Sequence, residues 1–155
     1  MAHPSMGTRV WRYAPLVSWM LFIYLASTSG FSADNTSRIL RPLLLWLFPH
    51  ISEERIGALH FLIRKAAHFT EYAVLGFLAA RAFIGSSHQV LNENWITAGT
   101  VLVVAYALLD EFHQSFVSAR TASLFDSLID IAGGLFALIC FAYFNRYRLH
   151  TLPNR

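Results

Sequence analysis

Four apolar stretches, residues 14–29, 66–84, 95–114 and 122–145, constrain this chain more than anything else in it. A helix that crosses a membrane needs about 20 mostly apolar residues, since hydrocarbon offers no partner for an unsatisfied backbone group. Composition points the same way: of 155 residues 55% are hydrophobic and 14% charged, against about 25% charged in an ordinary soluble domain. Thirteen Phe and four Trp exclude a disordered chain, and the lone Cys140 closes no internal disulfide and says nothing of redox compartment. The net charge is +3, but the basic residues stand singly or in pairs, so no basic run exists to track a nucleic-acid backbone. The chain reads as one all-α membrane domain over residues 1–155, a four-helix transmembrane bundle.

Between the first two spans, residues 39–48 are apolar but too short to cross, which predicts a re-entrant or interfacial amphipathic segment. An amphipathic helix follows from Ser52, where Ser-Glu-Glu-Arg is a start signal and Ile56, Leu59 and Ile63 recur at helical spacing. The first stretch follows Arg9 and Arg12 and ends in small residues. It also admits a cleavable signal peptide, although the Ala-x-Ala pattern is weak. Orientation follows from the cytoplasmic excess of Lys and Arg. With the N-terminus inside, six basic residues fall on each side. Three of the outer six, Arg64, Lys65 and Arg120, stand beside membrane-embedded acids, and setting them aside leaves six against three. Both termini are expected in the cytoplasm of a multi-pass membrane protein.

Charge interrupts each of the last three spans. The uncharged run 95–109 has 15 residues and 131–144 has 14, so Asp110, Glu111, Gln114, Asp126 and Asp130 are drawn to membrane depth, as are His68 and Glu71 in the second span. Each buried ionisable group costs at least about 2.5–3.5 kcal/mol on insertion scales and by default marks function. An up-and-down topology brings these polar ends together on one side. At 3.6 residues per turn, Arg64, His68, Glu71 and Leu75 share a stripe of the second span, with Lys65 and Tyr72 beside it. Asp110 and Gln114 lie one turn apart on the third. Asp126, Asp130, Gly133 and Ala137 form a stripe of the fourth whose small residues admit a close neighbour.

The string Arg64-Lys65-Ala66-Ala67-His68-Phe69-Thr70-Glu71-Tyr72, then Asp110-Glu111-Phe112-His113-Gln114-Ser115-Phe116, then Arg120 with Asp126, Asp130 and Gly133, resembles the VanZ-like family, named for a protein linked to teicoplanin resistance. The resemblance covers about half the chain and implies a small bacterial cell-membrane protein. Its marked residues fall on Lys65, His68, Tyr72, Asp110, Glu111, Gln114, Arg120, Asp126, Asp130 and Gly133. The Pro-Gly that often precedes the family's arginine is absent before Arg120. The resemblance supplies no reaction.

These residues predict an outward-facing pocket for the polar headgroup of a membrane lipid or lipid-linked cell-wall precursor. Arg64, Lys65 and Arg120 would grip phosphate or carboxylate, with His68, Tyr72 and Gln114 completing the binding set. Catalysis remains open. Glu71, Asp110, Glu111, Asp126 and Asp130 are the candidate acids and bases, because an enzyme needs carboxylates whose environments differ. A metal site built from His68, Glu71 and the same four further acids is the weaker alternative, as no His-Glu-x-x-His or Cys-x-x-Cys is present. No cofactor is indicated. The rival from another class is a structural subunit that docks a membrane-protein partner.

Overall fold

The computed structural model describes residues 6–28, 33–117 and 123–151. Six helices run through them: α1 (Met6–Ala26), α2 (Ala33–Leu47), α3 (Glu53–Phe83), α4 (Gln89–Glu93), α5 (Trp95–Gln114) and α6 (Leu124–Thr151). The expected start at Ser52 is present: its Oγ accepts the Arg55 amide N–H at 3.4 Å, and Glu53 and Glu54 occupy the positive first turn. The amphipathic helix and the second apolar span are one continuous α3 rather than separate pieces, because nothing between Glu53 and Phe83 breaks the hydrogen-bond ladder. Its 31 residues measure about 46 Å at 1.5 Å per residue, so its N-terminal half extends well beyond the apolar stretch. α3 ends before Gly85, whose φ of 75° is open to glycine at little cost.

The segment expected to be re-entrant or interfacial is helical. α2 has 15 residues and is about 22 Å long, short of the roughly 30 Å hydrocarbon core. It buries Leu44 and exposes Ile39, Leu43, Trp46 and Leu47. A hydrogen bond between Thr36 Oγ1 and His60 Nε2 (3.0 Å) and the Arg41–Glu53 ion pair (2.5 Å) tie it to α3.

α1, α3, α5 and α6 alternate in direction. The N-terminal half of α1 meets the end of α3 through Arg12 Nη1 donating to the Ile84 carbonyl at 2.9 Å, and through Tyr13 and Ser86. Further along, Trp19 Nε1 donates to the Glu71 carbonyl at 2.9 Å, and Tyr106 of α5 donates to the Met20 carbonyl at 2.5 Å. The apolar core lies between these helices and includes Leu16, Ile23, Tyr72, Leu75, Ala79 and Val103.

The tightest packing joins α3 to α6. A Cβ on Gly133 would meet the Phe69 carbonyl, one on Gly76 the Gly134 carbonyl, and one on Gly134 the Val103 side chain. The small-residue stripe of the fourth span is thus the seat of α3, where backbone lies against backbone. The outer faces are apolar: Val101, Leu109, Leu128 and Ile139 are each more than 60% exposed. α5, and α6 over Leu124–Arg146, are long and apolar enough to cross a membrane, and Val10–Ala26 is a shorter apolar stretch.

Candidate functional site

The alternating directions bring the end of α1, the first half of α3, the end of α5 and the start of α6 to one end of the molecule. Two charged pairs cross between α3 and α6 there. Lys65 Nζ donates to Asp126 Oδ1, and one turn deeper His68 Nδ1 pairs with Asp130 Oδ1 at 3.2 Å. The second pair is the more enclosed, with Asp130 at 0% and His68 at 9% exposure. The register follows from spacing: 65 to 68 is one turn of α3, and 126 to 130 is one turn of α6 running the same way. Lys65 also stands 5.0 Å above the ring of Phe61, which holds its stem along the helix.

α5 supplies the third side. Gln114 Nε2 donates to Asp110 Oδ2 at 3.0 Å, the i,i+4 contact expected from sequence, and lies 3.5 Å from Ser27 Oγ at the end of α1. Glu111 Oε1 accepts the Ser123 backbone N–H and so ties the end of α5 to the start of α6. Tyr72 Oη donates to the Tyr106 carbonyl at 3.4 Å. Glu111 Oε2, Asp130 Oδ2 and Ser127 Oγ are buried with no hydrogen-bond partner among the described residues.

Beside these pairs a cleft of about 150 Å³ opens between α1, α2 and α3, with Phe22, Ser27, Thr36, Arg64, His68 and Glu71 on its walls. Arg64 makes no ion pair with a carboxylate among the described residues. His68 pairs through Nδ1 with Asp130 and is also among the residues that line the cleft.

The predicted residues therefore divide. Arg64, His68 and Glu71 reach the cleft, whereas Lys65, Tyr72 and Gln114 are committed to partners inside the bundle. Asp110, Glu111, Asp126 and Asp130 bond to neighbouring side chains or backbone. Arg120 lies outside the described residues. No three His, Cys, Asp or Glu side chains among the described residues converge as metal ligands: His68 and Glu71 share the α3 wall of the cleft, and His68 pairs through Nδ1 with Asp130. Ser27 and Thr36 were not anticipated. Ser27 sits in the small-residue run that also suits a signal peptide, and nothing in the local pattern around Thr36 marks it.

The VanZ/LLP1 family profile matches residues 10–145, which include α3 and α5 whole, most of α1 and α6, and both cross-helix pairs. The chain belongs to the VanZ/LLP1 family. No curated protein and no solved structure was found to match it. As a VanZ-family membrane protein it has its apolar outer faces accounted for as surface toward lipid.

Proposed function

We propose that the chain forms a single four-span domain in the bacterial inner membrane, with α1, α3, α5 and α6 crossing. Both termini lie in the cytoplasm, and the α1/α2/α3 cleft opens outward. The cleft binds the anionic headgroup of a lipid or lipid-linked cell-wall precursor, and through that ligand the protein contributes to teicoplanin resistance. One observation carries the reading: Arg64 stands on the cleft wall without a carboxylate partner among the described residues, beside a histidine paired with Asp130. An unpaired guanidinium at a partly buried position is costly unless a ligand completes it, and its planar fork suits phosphate or carboxylate.

The residues divide between two tasks. Lys65–Asp126 and His68–Asp130 fix the register of α3 against α6, and Arg64 meets the ligand. Arg64→Gln should therefore abolish the effect of the protein on glycopeptide sensitivity while its amount in the membrane stays near normal. Wild-type sensitivity in that strain would overturn the headgroup reading. Loss of the folded protein instead would assign Arg64 to structure.

A further inference from the structure

The cleft does not stop at its polar walls. Phe22, Ala67 and Glu71 line both the cleft and a shallow groove of about 430 Å³ that continues between α1 and α3. Beyond those shared residues the groove is walled by Trp19, Ile63, Ala66, Thr70 and Val74. Ile63, Ala66, Thr70 and Val74 follow one stripe of α3, and the eleven helical steps from the first to the last span about 16 Å. Trp19 forms part of the α1 wall, its indole anchored to the Glu71 carbonyl. A small polar cavity thus opens directly into a narrow apolar furrow, one helix stripe wide.

The two volumes limit the occupant. Sites for drug-sized ligands begin at about 300 Å³, so a cleft of about 150 Å³ matches a group the size of a phosphate better than a glycan or peptide. Arg64 supplies the cationic group of the cleft, and Glu71, which carries an interaction of its own, lies nearly two turns further along α3. Resting on the headgroup reading above, the geometry points to a single-chain lipid phosphate as the ligand. Its phosphate meets Arg64 beside His68, and its hydrocarbon chain lies along the α1/α3 groove toward Val74. A hydrocarbon chain gains little by leaving bilayer lipid for an apolar groove, so the phosphate contact provides selectivity and the groove provides orientation.

Trp19 reports on the groove directly. In a protein carrying Trp11→Phe, Trp46→Phe and Trp95→Phe, it is the sole tryptophan. In phosphatidylcholine nanodiscs, a long-chain alkyl phosphate brominated along its chain should quench Trp19 at a mole fraction about tenfold lower than the matching brominated alcohol, the worth of one charge-assisted hydrogen bond. Arg64→Gln should remove that difference. Ala66→Phe, or Val74→Phe should the first variant fold poorly, should fill the furrow and suppress quenching, while the phosphorus resonance of the ligand still responds to Arg64. Equal quenching by phosphate and alcohol in the otherwise unaltered protein would sink both the headgroup reading and the inference. An Arg64-dependent phosphorus signal with Trp19 unquenched, or quenching that survives both groove variants, would overturn the groove assignment alone and leave the headgroup reading standing.

Discussion

At the level of single residues, the two α3–α6 pairs differ in kind from the surface pair Arg41–Glu53. Lys65 and Asp126 retain 20% and 13% of their side-chain exposure, and His68 and Asp130 less. Removing one member of such a pair leaves a desolvated charge, whereas removing both can be neutral. Lys65→Met should destabilise the protein by about 3 kcal/mol, the lower end of the range for a buried pair that keeps some access to its surroundings. Lys65→Met with Asp126→Leu should recover most of that loss. Unfolding titrations in mixed micelles compare the two, and equal loss in the single and double variants would show that the pair contributes no coupling.

Among the elements, the α3–α6 contact depends on missing side chains. Gly133→Ala places a methyl against the Phe69 carbonyl, and because both partners are helix backbone neither can yield cheaply. A loss of about 1–3 kcal/mol is expected from such overpacking, with weakened His68–Asp130 pairing visible in the imidazole resonances. Gly57 is the internal control: it is exposed, and nothing lies within 4 Å of its added Cβ. Gly57→Ala should stabilise by about 0.5–1 kcal/mol through backbone entropy alone.

The tether of α2 to α3 has its own dependence on pH. The Arg41 hydrogen bond holds the Glu53 carboxyl below its ordinary range, so the tether is complete above the ordinary glutamate range and is lost as pH falls through the lowered value. Spin labels on α2 and α3 should show broader separations once pH falls well below the ordinary glutamate range. Glu53→Gln should show that breadth at all pH values, and added salt should mimic acid, because both side chains are exposed.

At the scale of the whole molecule, the arrangement of the helices fixes which ends lie together, and the bilayer side is a separate matter. Lys65 is held by Asp126, as the orientation argument required, but Arg64 is not held by a carboxylate among the described residues. Setting aside Lys65 alone leaves six basic residues inside against five outside. The excess still favours cytoplasmic termini. In a Cys140→Ala background, a cysteine at His50, beyond the cleft end of α3, should react with an impermeant thiol reagent on intact cells. One at Ser87, at the opposite end, should react only after permeabilisation. The reverse pattern would invert the protein and place the cleft in the cytoplasmic leaflet.

The helical membrane class, the start of α3 at Ser52, the bounds of α5 and the small-residue face of α6 were all legible in the sequence. Each is a local property, set by apolar run length, capping chemistry or a period of 3.6 residues. The stripes also showed which residues share a helix face, hence the gathering of His68, Asp110, Asp126 and Asp130 at one end. The partner of each group was not legible. Lys65 and Arg64 are adjacent in sequence and alike in charge, yet one turns into the α6 interface and the other toward α1. The rotation of α3 about its axis decides between them, and that rotation is set where Gly76, Gly133 and Gly134 let the backbones meet. The groove has the same origin: Trp19, Phe22, Ala66 and Val74 look like ordinary apolar positions until the packing of α1 on α3 leaves a furrow between them. Local chemistry set what each helix is, and close packing across helices decided which of its charges remained available to a ligand.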